Sequence, residues 1–230
     1  MNYGTTIDIY YHHNYDSFMR SSMVKNRRCA QMKIISETVL INKNGNQPII
    51  NTAMQEIRES ILQMENPKGS GEFRLFRGKN MNGVKPIKET FMKYLTMRDW
   101  QAEYRIDVGV SLTRPGPIDA VKFFNNDIFA VEWETGNIAS SHRALNKITT
   151  GILNQRLIGG VLILPSREMY THLTDRVGNY RELSPYFDVW RKASYPVDQG
   201  FLAVIEIEHD SLSDDKSLQI KKGTDGRALI

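Results

Sequence analysis

The stretch of sequence that decides the fold is GPIDAVKFFNNDIFAVEWE, residues 116–134. Two runs rich in β-forming residues flank Asn125-Asn126, and an Asn-rich break between two such runs is typical of a β-hairpin. With these two asparagines as the loop, the register places Asp119 directly opposite Glu132. The sequence therefore predicts two antiparallel strands that face two carboxylates toward each other.

A third carboxylate, Glu134, is predicted to join this pair. Opposed residues on paired strands have Cβ atoms about 5 Å apart, and the period of two puts Glu134 on the same face as Glu132. Packed anions raise one another's pKa unless a cation holds them, and clustered oxygen ligands suit a hard ion such as Mg²⁺. Hairpin carboxylates are usually solvated surface residues, but these lie among phenylalanine, valine and tryptophan, which favours a metal site.

Length and composition indicate one domain with one substantial core, because 40% of the 230 residues are hydrophobic. No apolar run approaches the roughly 20 residues of a membrane span, and no signal peptide is recognisable, so we expect a soluble, cytoplasmic protein without a membrane partner. Cys29 is the only cysteine, which excludes an internal disulfide and a cysteine-based zinc site.

The net charge of +4 and a pI near 9.1 permit binding to a polyanion without establishing it. A net-basic chain that concentrates acids at one hairpin is suited to a phosphate substrate bridged by a metal ion.

The first 31 residues are tyrosine-rich and show no sustained period, and Met32 offers a second start. We therefore expect residues 1–31 to be an N-terminal extension, either disordered or a misassigned start, and residues 32–230 to form the folded domain.

Hydrophobic periodicity predicts the remaining elements. Helices are expected at Thr52–Met64, from Pro86 onward, from an Asn137 cap to Leu153, from a Ser166 cap to Asp175, and from Pro185. Strands are expected around the alternating residues Ile106, Val108, Val110 and Leu112, within Leu157–Leu164, and at Phe201–Ile207. The strand, helix and strand around Asn137 form a crossover unit, which makes the predicted α/β sheet mixed.

Several short motifs, in matching order and spacing, resemble those of the BamHI-type restriction endonucleases. They are NGVKPIK at 82–88, GPID at 116–119, EWETGN at 132–137, HR at 142–143, NK at 146–147, LTDRV at 173–177, EL at 182–183, PYF at 185–187 and KGTDG at 222–226. The resemblance covers about Met32 to the C-terminus. It implies a restriction-endonuclease-like fold of the PD-(D/E)xK superfamily, with a mixed central sheet flanked by helices. It also implies a homodimeric type II enzyme that cuts double-stranded DNA.

The resemblance implies an active site with two Mg²⁺ ions. Asp119 would bridge the ions, Glu132 and the Trp133 carbonyl would hold one, and Glu103 would help to hold the other. In such hydrolysis one ion activates the attacking water and the other stabilises the departing 3′ oxygen. Glu134 would orient or deprotonate the water. Many members of the superfamily carry lysine at this position, and the acid matches the BamHI branch.

The resemblance further implies that the helix after the catalytic strand reads the palindromic site GGATCC. The residues expected to contact DNA are Asn137, Ala139, Arg143, Asp175, Arg176, Lys88, Gly223 and Asp225. Arginine suits guanine, asparagine suits adenine, and a carboxylate can accept from cytosine N4. Ala139 replaces a serine of the family motif, so one hydroxyl is missing. His142 is expected to pack instead of binding metal, because a hard-ion site does not need imidazole.

Two other functions remain open on sequence alone. A non-catalytic DNA-binding protein of the same fold would gain nothing from Asp119, Glu132 and Glu134 facing phosphates. A metal-dependent hydrolase of small phosphoesters would leave Asp175-Arg176 and the Asn137 helix without a purpose.

Overall fold

The computed structural model describes residues 31–43, 47–109 and 116–223. The strands in these ranges are β1 Lys33–Lys43, β2 Arg74–Phe76, β3 Gln101–Tyr104, β4 Ile118–Phe124, β5 Asp127–Trp133, β6 Gly159–Pro165, β7 Gly200–Glu208 and β8 Ser211–Ser213. The α-helices are α1 Gln47–Leu62, α2 Val84–Thr96, α3 Ile138–Leu153, α4 Arg167–His172, α5 Tyr180–Leu183 and α6 Phe187–Arg191. Single 3-10 turns lie at Ser184–Tyr186 and Lys216–Leu218.

The main sheet has six strands in the order β1-β7-β6-β5-β4-β3. Strands β5, β6 and β7 run parallel, and the pairs β1·β7, β4·β5 and β3·β4 are antiparallel. One face packs against α1 and α2, and the other packs against α3 and α6. The prediction of a mixed sheet flanked by helices is confirmed.

The hairpin has the predicted register. Phe124 pairs with Asp127 and Val121 with Ala130, so residues 125–126 form the loop. Asn125 lies in the left-handed region at φ 57, a conformation that asparagine tolerates better than most residues.

Helix α3 follows β5 as predicted and ends at the expected residue, Leu153. Its inward face is buried against the sheet, and the strand that follows, β6, is buried at every position. The unit β5-α3-β6 is the predicted crossover, and β6 is the middle strand of the parallel part of the sheet because it pairs with both β5 and β7. The first residue of α3 is thereby fixed next to the end of the hairpin.

One predicted strand is wrong. Ile106 and Val108 lie in irregular chain after β3, and Val110 and Leu112 fall outside the described residues. Val108 is nevertheless buried, and its carbonyl accepts a 3.0 Å hydrogen bond from Asn154 Nδ2. At Ile106 and Val108 the alternation thus belongs to irregular chain anchored to the core and not to a strand.

The helix that Ser166 caps ends at His172 and does not reach Asp175. Leu173 is already extended, and the Thr174 amide donates to the Asn82 carbonyl at 2.6 Å. A tertiary hydrogen bond therefore replaces the next helical one. Asp175 has a left-handed φ of 64, which places it in a loop.

The prediction for residues 1–31 falls outside the described residues, apart from Gln31. Met32 is fully buried in the core, and β1 begins at the next residue. The periodicity of the sequence did not predict β1. No helix in the described part of the chain is both long enough and apolar enough to cross a membrane.

Candidate active site

Asp119 and Glu132 meet across the hairpin. The Trp133 amide donates to Asp119 Oδ2 at 2.8 Å, and the Asp119 amide lies 3.4 Å from Glu132 Oε2. Glu132 and Glu134 are buried, at 7% and 5% exposure. All three carboxylates that the sequence predicts to lie together line one cleft, and Asp119 and Glu132 are in contact there.

Two lysines form ion pairs with Asp119 and Glu132 of this cluster. Lys147 Nζ lies 2.6 Å from Glu132 Oε1 and 3.0 Å from the Pro117 carbonyl. Lys88 Nζ lies 2.5 Å from Asp119 Oδ1 and 3.5 Å from Glu103 Oε1. Lys88 was expected near DNA, and the structure places it against the acids themselves.

The buried acids have strongly perturbed pKa values. Burial, together with the Asp119 charge, raises the pKa of Glu132 to about 7, although Lys147 works in the opposite direction. Burial likewise raises the pKa of Glu134 to about 7, despite hydrogen bonds from Ser141 and Gly136. Burial acts to lower the pKa of Lys88, but the Asp119 carboxylate outweighs it, and the pKa is raised. A carboxyl group with a pKa near neutrality is suited to proton transfer.

Glu103 lies on β3, in the register position beside Asp119, between the pairs Ala102–Ala120 and Tyr104–Ile118. Its φ is 50, and its side chain is 60% exposed. It is therefore a strand residue with an unusual backbone, and Lys88 bridges it to Asp119.

The donor set fits a hard divalent cation by its chemistry, because the carboxylates of Asp119, Glu132 and Glu103 and the Trp133 carbonyl are all oxygen ligands. In the conformation described for residues 31–43, 47–109 and 116–223, no three Asp, Glu, His or Cys side chains converge on one ion position. The acids are instead paired with ammonium groups. Binding of an ion would therefore require these ion pairs to rearrange.

The acids open into a cleft of about 270 Å³. Its wall combines the hairpin with the start of α3, including Gly136, Ser140, Arg143 and Lys147. A larger groove, of about 800 Å³, adjoins the same helix start and contains Asn137, Ala139 and Arg176. Three of the residues expected to read DNA thus line one groove, and Arg143 lines the acid cleft.

Asn137 caps α3 with its side-chain oxygen, which accepts from the amides of Ala139 at 3.0 Å and Ser140 at 3.3 Å. This bond satisfies amides that the helix itself leaves without a partner. A base contact by Asn137 would therefore use its Nδ2 group.

Asp175 is held by the C-terminal segment. Lys222 Nζ lies 2.6 Å from Asp175 Oδ1, and both side chains are about half exposed. Gly223 lies beside the Lys85 side chain, and Asp225 is outside the described residues. The structure therefore brings Asp175 together with the segment that contains Gly223.

Asn82 joins the loop that contains Asp175 to this C-terminal segment. It is fully buried, and its side chain bonds to both backbone groups of Phe76, to the His172 carbonyl and to the Ile220 amide. Its own carbonyl accepts from Thr174. One side chain thus fixes three distant segments of the chain.

Sequence reasoning assigned no role to Lys147 or Ser141. The Ser141 hydroxyl donates to Glu134 Oε2, and Ser141 is fully buried. A polar residue on the inward face of an apolar helix was the available signal. His142 packs against Tyr186 and Trp190, with ring centroids 4.8 and 5.8 Å away, which confirms the expected packing role.

Comparison with known proteins shows the family of this chain. A family model described as restriction endonuclease BamHI matches residues 32–227. The type II restriction enzyme OkrAI of Oceanobacter kriegii is 50% identical over 198 residues, which are 86% of this chain and 100% of that enzyme. The type II restriction enzyme BamHI of Bacillus amyloliquefaciens is 36% identical over 150 residues, covering 61% of this chain and 70% of that enzyme.

Among solved structures, restriction endonuclease BglII in complex with a DNA 16-mer has a TM-score of 0.54 at 13% identity, covering 82% of this chain and 90% of that one. This likeness shows that the fold is restriction-endonuclease-like. The chain belongs to the BamHI family of type II restriction enzymes, and it is a site-specific deoxyribonuclease.

Proposed function

We propose that this enzyme is a homodimer that cuts both strands of the palindrome GGATCC, with two Mg²⁺ ions in each active site. The observation that carries the proposal is the pairing of Asp119 with Glu132 across the hairpin, with Glu134 buried directly after the end of β5. Buried acids at neutral pH are costly to a fold, so their concentration at one cleft indicates a catalytic use.

The ligands that we propose for the ions are the carboxylates of Asp119, Glu132 and Glu103 and the Trp133 carbonyl. When bound, the ions would supply a more acidic water and a counter-charge for the departing 3′ oxygen. Restriction endonucleases generally depend on a divalent metal ion, which supports this assignment. Lys88 pairs with Asp119. A DNA phosphate bound at these acids would lie close to its ammonium group, so we also propose that Lys88 contacts DNA.

Glu134 would accept the proton of the attacking water. With a pKa of about 7, a substantial fraction of this carboxyl group is ionised near neutral pH and ready to act as a base. The Gly136 amide donates to Oε1 at 2.6 Å and Ser141 donates to Oε2, so both carboxyl oxygens are held in place.

Recognition would use Arg143 and Arg176 on guanines, with Asn137 and Asp175 on the remaining base edges. Arg176 and Asn137 line the same groove, which supports their joint use. Ala139 lacks the hydroxyl of the family motif, so we expect weaker discrimination at one base and not a new site. Two-fold symmetry of a dimer matches a palindromic site.

The test is a digest of a random-sequence DNA library with Mg²⁺, followed by sequencing of the ends. We expect cuts at GGATCC, relaxed at one position, and none in EDTA. Cuts centred on GATC with unconstrained outer base pairs would refute the guanine contacts, and cutting in EDTA would refute the requirement for a metal ion.

The cytoplasm, where such an enzyme would meet DNA, is the compartment that we propose.

A further inference from the structure

Ser141 is a buried hydroxyl directly beneath the acid cleft. It lies in the first turn of α3 and has no solvent exposure. Its Oγ donates to Glu134 Oε2, while the Gly136 amide donates to Oε1. Hydrogen bonds to an ionised carboxylate are stronger than those between neutral groups, so this pair of donors fixes the rotation of the Glu134 side chain.

Gly178 packs against Ser141 from the opposite side. A Cβ atom at residue 178 would overlap Ser141 Oγ and approach the Ile138 backbone to 3.3 Å. The Gly178 amide donates to the Gly136 carbonyl at 2.8 Å. Gly178 therefore contacts both residues that donate to Glu134, which are Ser141 and Gly136. Gly178 stands two residues after Arg176, in the segment expected to read DNA.

We infer that Ser141 is a positioning residue for Glu134, and that Gly178 holds Ser141 in place so that the reading segment and the catalytic acid form one packed unit. The inference rests on the proposed role of Glu134 in DNA cleavage. Its physical basis is that the buried hydroxyl donates to Glu134 Oε2, and that the absent side chain of Gly178 leaves space for this hydroxyl.

Removal of the hydroxyl should affect the chemical step and not DNA binding. We expect Ser141→Ala to lower the single-turnover cleavage rate by about 10- to 100-fold, a range typical of residues that orient a catalytic group. The Kd for a duplex containing GGATCC, measured without a divalent ion, should change less than about threefold, because Ser141 is buried and cannot reach DNA.

The matched control is Ser60→Ala. Ser60 is also fully buried in a helix, and its hydroxyl donates only to the Glu56 carbonyl of α1. This variant should cut at the rate of the wild type while showing a comparable loss of melting temperature. Equal rates for Ser141→Ala and Ser60→Ala would overturn the inference.

Gly178→Ala tests the second half of the inference. Its Cβ atom would displace the Ser141 hydroxyl, so the cleavage rate should fall as in Ser141→Ala. The double variant Ser141→Ala/Gly178→Ala should be no slower than Gly178→Ala alone, because both changes act through one hydrogen bond. Independent, multiplicative losses would show that Gly178 does not act through Ser141.

The outcome for Glu134→Gln separates this inference from the proposed function. If Glu134→Gln cuts normally, the role of Glu134 itself is wrong. If Glu134→Gln is inactive while Ser141→Ala is as active as the wild type, only the positioning role fails.

Discussion

The acid hairpin, residues 118–134, differs from the proposed reading surface in the contacts that hold it. The reading surface consists of the residues that we propose contact bases, Asn137, Arg143, Asp175 and Arg176. Glu132 is buried on β5, a strand that pairs on both sides, with β4 and with β6, and Glu134 is buried directly after the end of that strand, where its amide donates to the Ile163 carbonyl of β6. Asp175 instead lies in a loop, and its partner is a lysine whose side chain is 51% exposed. The proposed catalytic groups are therefore fixed by the fold before DNA arrives, whereas Asp175, which we propose reads a base, is held by a contact that DNA could replace.

Physical magnitudes support this division. An exposed ion pair such as Lys222–Asp175 contributes about 0–1 kcal/mol, so exchange of Lys222 for a DNA group costs little. A buried pair such as Lys147–Glu132 behaves differently, because removal of one partner leaves a charge without compensation.

The hairpin should give the largest effect when it is altered. We expect Glu132→Ala to lower the cleavage rate by at least about 1,000-fold, since it deletes a proposed metal ligand. Binding of DNA should be unchanged or tighter, because one anion facing the phosphates is gone. Cleavage assays and a Kd measured without a divalent ion check both parts.

The matched control for this change is Glu37→Ala. Glu37 is also an ion-paired carboxylate, bound by Arg58 at 2.6 Å, and it lies on β1 outside the cleft. This variant should cut normally. A Glu132→Ala enzyme that retains more than a trace of activity would contradict the assignment of Glu132.

The reading surface should give smaller effects that depend on sequence. We expect Arg176→Ala to lose about 1–3 kcal/mol of discrimination at one base pair, measured as Kd for duplexes with single base changes. Arg167→Ala is the comparison, because Arg167 lines the same groove without an assigned base. Arg167→Ala should weaken all duplexes alike, and the same uniform loss for Arg176→Ala would contradict a base contact.

Burial of Glu134 should make the free energy of unfolding depend on pH. The pKa of Glu134 is raised from 4.5 to about 7 in the folded protein. The unfolded chain therefore releases this proton first, and stability falls as pH rises between these values. Glu134→Gln should then be more stable than the wild type by about 1–2 kcal/mol at pH 8, without metal or DNA.

Thermal unfolding at two pH values checks this expectation. At pH 4.5 the folded wild type carries a protonated Glu134, so the advantage of the glutamine variant should largely disappear. An equal advantage at both pH values would show that it arises from packing and not from the buried charge.

The sequence predicted the hairpin and α3 closely, because both follow from local rules. The Asn125–Asn126 loop sets the register of Asp119 against Glu132, and Asn137 sets the start of α3. The features that could not be predicted from the sequence depend on contacts between residues far apart in the chain. The helix after Ser166 ends early because Thr174 bonds to Asn82, and Lys147 reaches Glu132 only after α3 packs on the sheet. The roles in DNA reading came from family resemblance alone.

The smallest effect should come from residues 1–31. The family match begins at residue 32, and Met32 is the first core residue in the described part of the chain. We expect a chain that starts at Met32 to match the full-length chain in melting temperature and cleavage rate. Loss of solubility or activity would show that the extension belongs to the fold.

From the contacts of Asn82 we expect an order of assembly. Its partners Phe76, His172 and Ile220 are spread over most of the chain, whereas residues 118–133 form the hairpin through local contacts, which close faster. During synthesis we therefore expect the hairpin to pair before Ile220 emerges, and the contacts between Asn82 and Ile220 to form last. Pulsed hydrogen exchange during refolding should find β4 and β5 amides protected before those of Thr174 and Ile220. Simultaneous protection would contradict this order.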